Sequence, residues 1–104
     1  MIIIKTSSDK LNILKSISKK LVEKKLAGCI NLLPQCLSFF YWNDKVQENK
    51  EYLMLIKTTQ DKEKKIYKLI YSKHNYDIPE ILTINVASAD KKYLHWMKNT
   101  LENK

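Results

Sequence analysis

Lys73-His74-Asn75-Tyr76-Asp77-Ile78-Pro79-Glu80-Ile81 is where the chain changes period, and its reading decides the fold. An amphipathic run with helical spacing ends near Ser72, and an apolar run rich in Ile, Thr and Val begins at Ile81, so a helix hands over to a strand here. Pro79 removes a backbone donor and pushes Ile78 toward extended geometry, which suits the start of a strand better than its middle. His74, Tyr76, Asp77 and Glu80 crowd into this connection, and connections carry function more often than the elements they join. The plainer reading is a loop in which Asn75 caps the helix and Pro79 is structural.

Upstream of the junction, Thr58-Thr59 with Asp61 and Glu63 opens a helix whose stripe is Ile66, Leu69 and Ile70. Before it, Val46 to Thr58 reads as a strand, polar at first and densely apolar at Tyr52-Leu53-Met54-Leu55-Ile56. Trp42-Asn43-Asp44-Lys45 is turn-like, and Cys29 to Trp42 is a long strand that Pro34 interrupts with a bulge or an edge position. At the amino end, Ile2 to Lys5 is a short strand and Thr6-Ser7-Ser8-Asp9 supplies helix-capping residues. Leu11, Leu14, Ile17, Leu21 and Val22 form a core-facing stripe, with Asp9 placed at the positive end of that helix. Leu26-Ala27-Gly28 ends it, the chain's only glycine standing where a left-handed cap or a close backbone approach is needed. Downstream, Ile81 to Val86 is a strand, and Asp90 starts a terminal helix with Tyr93, Leu94, Met97 and Leu101 on one side. The order βαββαβα is that of an α+β, ferredoxin-like (split βαβ) sandwich with long second and third strands and an added C-terminal helix.

A sheet with one solvated face alternates, but Tyr52 to Ile56 has no polar residue on either parity, so both faces are expected to be covered. Two helices can cover one. The other calls for a partner subunit, with Trp42 and Tyr52 expected as aromatic anchors of the interface.

A chain of 104 residues is expected to form one domain, 1–104, with a single core and much of its surface exposed or shared. No apolar run approaches the roughly 20 residues that span a bilayer, so no membrane partner is expected. Met1-Ile2-Ile3-Ile4 is followed at once by Lys5-Thr6-Ser7-Ser8-Asp9, which reads as a first strand rather than a signal peptide, so the cytoplasm is the expected location. Cys29 and Cys36 make neither a Cys-x-x-Cys pair nor a disulfide framework and read as small buried hydrophobes. The net charge of +8 can attract nucleic acid or anionic lipid. All 19 basic residues are lysines, however, so the guanidinium fork that grips phosphate or guanine is absent. Their spread through both helices and the tail reads as a compositional bias.

Four stretches in order and spacing carry a resemblance: Leu21-Val22-Glu23-Lys24-Lys25-Leu26-Ala27-Gly28-Cys29-Ile30-Asn31; Ser38-Phe39-Phe40-Tyr41-Trp42; Leu55-Ile56-Lys57-Thr58-Thr59; and His74 through Ile81, with Tyr93-Leu94-His95-Trp96 behind it. Over nearly its whole length the chain resembles the CutA family, the divalent-cation tolerance proteins. The resemblance implies a ferredoxin-like subunit in a tight homotrimer, a role in tolerance of copper and other divalent ions, and no enzymatic reaction. It also implies that the copper site carries over poorly, because Lys5 and Lys73 stand where a strand cysteine and a first loop histidine would be. His74 alone remains as a candidate metal ligand, with Glu80 and Asp77 able to add oxygen donors, and weak binding of copper or another divalent cation is expected. Trp42, Lys57, Tyr76, Tyr93 and Trp96 are candidates for an inter-subunit cleft, or else interface anchors.

Two other classes of function compete. The same element order serves RNA-recognition domains, so a basic ferredoxin-like nucleic-acid-binding module is the alternative. Glu51-Tyr52-Leu53-Met54-Leu55-Ile56-Lys57 nevertheless lacks the basic-Gly-aromatic pattern of a base-stacking platform, which makes nucleic acid an unexpected partner. A small hydrolase on this fold would need an arginine for an anionic substrate, and there is none.

Overall fold

A computed structural model describes residues 1–102. The elements run β1 (Ile2–Ser8), α1 (Leu11–Glu23), β2 (Cys29–Trp42), β3 (Lys45–Thr58), a 3-10 turn (Gln60–Lys62), α2 (Glu63–Lys73), β4 (Ile81–Asn85) and α3 (Lys91–Glu102). The sheet order is β2-β3-β1-β4 and every pairing is antiparallel. This is the expected split-βαβ arrangement with a C-terminal helix added.

Residues at alternate positions share a face, and the register assigns them. Ile2, Ile4 and Thr6 of β1 lie beside Thr58, Ile56 and Met54 of β3, and all six are almost fully buried. Leu14, Ile17 and Leu21 of α1 and Ile66 and Ile70 of α2 meet this face and complete the core. On the other parity Ile3, Lys5 and Ser7 stand beside Lys57, Leu55 and Leu53, with Leu82 and Ile84 of β4 alongside. Leu53, Leu55 and Ile3 are only half-buried, and Leu82 and Ile84 are 45% and 46% exposed. The doubly apolar third strand therefore has one parity under the helices and the other on an open sheet face. Tyr52, expected at an interface, is on the helix side and packs against the core.

Beyond the end of β1 the β2–β3 hairpin continues as a two-stranded arm, from Cys36 opposite Glu51 to Trp42 opposite Lys45. Its turn needs two left-handed residues, and Asn43 (φ 53°) and Asp44 (φ 59°) supply them, both being types that tolerate this region. The register slips between Leu33 and Cys36, the bulge that Pro34 announces.

Several boundaries differ from expectation. Thr6, Ser7 and Ser8 continue β1 because β3 pairs with all three and β4 with Thr6, and the N-cap position of α1 falls at Lys10 instead. Asp9 lies outside that helix, whose N-cap is Lys10 and whose first turn holds no acid. Thr58 ends β3, donating its hydroxyl to the Leu26 carbonyl at 2.6 Å, and α2 starts only after the 3-10 turn. The left-handed residue after α1 is Lys25 (φ 56°), and Gly28 serves the close approach instead: a Cβ there would run into the Met97 sulfur of α3. At the far end Asp90 caps α3 as expected, its Oδ2 accepting from the Tyr93 amide at 3.1 Å.

Candidate functional site

The 73–81 junction folds over the end of β1 and meets the arm. Helix α2 stops at His74, whose backbone is extended. His74 Nε2 lies 2.7 Å from the Ser7 carbonyl, and the Tyr76 amide donates to His74 Nδ1 at 3.0 Å. A carbonyl can only accept and an amide N–H can only donate, so the two bonds coexist in the neutral ring with its proton on Nε2. Both nitrogens are thereby spent on holding the loop. Asn75, expected to cap the helix, ties the loop to β1: its Oδ1 accepts from Ser8 Oγ at 2.6 Å and its Nδ2 donates to Asp9 Oδ1 at 2.8 Å.

Tyr76 reaches across to the arm. Its phenol oxygen accepts from the Asp9 amide at 3.0 Å and from Asn49 Nδ2 at 3.2 Å, and donates to Glu51 Oε2 at 2.7 Å. Glu51 is 6% exposed, so this hydrogen bond offsets part of the desolvation of a carboxylate inside the fold. Burial, first, and then the hydrogen bond to Glu51 push the Tyr76 phenol well above its ordinary value. Glu80 turns toward β1, with Oε2 at 3.3 Å from Lys5 Nζ and Oε1 accepting from Ser7 Oγ at 3.4 Å.

Between the loop and the arm lies a cleft of about 950 Å³. One wall is the arm, with Cys36, Ser38, Phe40 and Trp42 at alternate positions of β2 opposite Asn49 and Glu51 of β3; the other is Tyr76, Asp77, Ile78, Pro79 and Glu80. The structure thus brings Trp42, Tyr76, Asp77 and Glu80 to one cleft and turns the His74 ring away to Ser7. Lys57, Tyr93 and Trp96 are elsewhere. Lys57 is six residues from Glu51 along β3, about 20 Å in a strand, and Tyr93 stacks on Trp96 at 5.6 Å on α3, where Trp96 also approaches Gly28. The single chain does not assemble the five aromatic and lysine candidates into a cleft. Glu51 and Asn49 were not singled out from sequence, although Gln47, Asn49 and Glu51 form a same-parity polar row running into the apolar stretch, a signal of a face that meets something polar.

Among the described residues no three of His, Cys, Asp or Glu stand close enough to hold a metal ion. The donor set does not fit a tight copper site: the one imidazole nearby has no lone pair to spare, and an ammonium neutralises the nearest carboxylate. The open face of the central strands carries Ile3, Lys5, Leu53, Leu55 and Lys57, with no aromatic ring on which a base could stack.

The sequence profile of the CutA1 divalent ion tolerance protein family matches residues 1–100. The chain belongs to this family. The "Divalent-cation tolerance protein CutA" of Thermus thermophilus is 36% identical over 84 residues, covering 81% of this chain and 82% of that one. The chloroplastic CutA of Arabidopsis thaliana is 35% identical over 89 residues, 86% of this chain and 49% of the relative, so this chain spans about half the length of that CutA. Among solved structures, the periplasmic divalent cation tolerance protein CutA from Archaeoglobus fulgidus superposes with a TM-score of 0.92 at 31% identity, covering 97% of this chain and 99% of that one. The CutA1 of Oryza sativa gives a TM-score of 0.92 at 28% identity, covering 99% and 94%. No described helix of the present chain is long and apolar enough to cross a membrane.

Proposed function

We propose that this protein is a homotrimeric CutA that acts in the cytoplasm in the tolerance of, or response to, divalent cations including copper, through weak metal contact or signalling and without a catalytic step. The observation that carries the reading is the sheet face turned away from α1 and α2, where Ile3, Leu53 and Leu55 are only half-buried and Leu82 and Ile84 are exposed, in a member of a family named for divalent ion tolerance. Burial of such a face by identical copies is the economical way to remove it from water. Two unpaired cysteines accord with a reducing compartment. A cation that reaches His74 has to displace the Tyr76 amide from Nδ1 or the Ser7 carbonyl from Nε2, and Asp77 and Glu80 on the cleft wall offer it only carboxylate oxygens.

Calorimetric titration with Cu²⁺ tests the metal half of this reading, with Cys29→Ser/Cys36→Ser protein as the background because free thiols are themselves soft ligands. The expected affinity is weaker than about 1 μM. The residual binding falls in His74→Ala and falls as the pH is lowered, since a protonated ring cannot ligate. Tight binding that survives loss of His74 and both cysteines would place the metal elsewhere and overturn the assignment.

A further inference from the structure

The excess positive charge is confined to one layer of the molecule. The segments 10–25 and 61–73, which hold α1 and α2, contain eleven lysines and three acids; the rest of the chain contains eight of each. The whole net charge of +8 therefore resides on the helix layer. Lys10, Lys15, Lys19, Lys20, Lys24, Lys25, Lys64, Lys65 and Lys68 are all exposed. The two ion pairs among the described residues, Lys5 with Glu80 and Lys62 with Asp61, involve none of these nine. A compositional bias toward lysine explains their number but not why the acids that balance the other lysines are missing here.

Two helices of this length side by side make a surface about 20 Å across, so these charges lie within a few Debye lengths of one another and their fields add. Set among them are two exposed apolar side chains, Val22 (46% exposed) between Lys19 and Lys25, and Tyr71 (61% exposed) one turn after Lys68. Lysines on long flexible stems suit a fluid sheet of phosphates that has no fixed geometry, whereas rigid phosphate or base readout favours the guanidinium this chain lacks. A tyrosine beside them has the amphipathic ring found at the level of lipid headgroups.

We propose that the α1/α2 layer is a docking surface for an anionic lipid bilayer, bound peripherally and without insertion of a helix. The layer lies on the opposite side of the sheet from the open apolar face, so docking and assembly through the sheet do not compete for it.

Co-sedimentation of the full chain with phosphatidylcholine vesicles, with and without about 30% phosphatidylserine at about 0.15 M salt, tests this. Partitioning is expected to be at least about tenfold stronger to the anionic vesicles and to weaken steeply as salt rises. Lys19→Glu/Lys64→Glu/Lys68→Glu should abolish it, while Lys91→Glu/Lys92→Glu/Lys98→Glu on α3, with the same change in net charge, should retain most of it. If the layer variant fails to fold, Lys→Gln at the three positions of each variant carries the comparison. Equal binding to both vesicle types would overturn the proposal, and so would equal losses in the two charge-reversal variants. Stronger binding to a DNA duplex than to the anionic vesicles at the same salt would overturn it in favour of a nucleic-acid backbone.

Discussion

Tyr76 places one phenol oxygen between the backbone of Asp9, the amide of Asn49 and the buried carboxylate of Glu51, and so joins the junction loop to the arm. Tyr76→Phe keeps the ring and removes all three bonds, leaving a nearly buried carboxylate without its donor, so a loss of about 1–3 kcal/mol in denaturant unfolding is expected. The pH dependence has a definite sign. Folding raises the phenol above its ordinary 10.0, so its stabilisation is present in full below that value and is lost as the pH rises through the folded one. Wild type should therefore lose more stability between about pH 9 and 11 than Tyr76→Phe does; equal losses would mean the phenol is not held this way. The sequence marks the junction residues as a group, because a helix ends and a strand begins around them. It does not reveal that His74 is spent on Ser7 and Tyr76 on Glu51, since those partners lie 67 and 25 residues away and only the closed sheet brings them together.

Among the elements, type and order follow from periodicity alone: the three-and-four stripe of Leu14, Ile17 and Leu21 makes α1, and the unbroken apolar run Tyr52 to Ile56 makes β3. Boundaries are less legible where pairing overrides local preference. Thr6-Ser7-Ser8 has capping chemistry, yet β3 pairs with all three, and β4 with Thr6, and so holds them extended. Gly28 has the composition of a helix cap, yet Lys25 takes the left-handed turn, satisfied by the Leu26 amide bonding the Leu21 carbonyl at 2.9 Å. The glycine is required by α3, which returns from seventy residues downstream to seat Met97 on it. Gly28→Ala should accordingly lower the melting temperature, at about 1–3 kcal/mol for a forced shift of Met97. Gly28→Ala in a Met97→Ala background should be far less damaging than the two single losses added together. Simple additivity would show that the glycine serves its backbone conformation instead.

At the scale of the whole molecule, the sheet separates two unlike surfaces, a lysine-covered helix layer and an open apolar face continued by a projecting aromatic arm. Phe39, Tyr41 and Val46 on the arm are 65%, 69% and 73% exposed, with Tyr41 paired directly to Val46. That one parity of β3 lies away from the helices is legible in Tyr52 to Ile56, because no single layer of two helices covers both parities, and the proposed partner follows from it. Which of those residues faces outward is not, since it depends on register: Leu53 and Leu55 do, and Tyr52 does not. Under the proposed assembly, folding is coupled to association and stability should depend on protein concentration. Sedimentation equilibrium at micromolar concentration tests the central claim most directly. A mass of about three times 12.3 kDa is expected, reduced in Leu55→Asp, whereas a monodisperse 12.3 kDa species at that concentration would contradict the account.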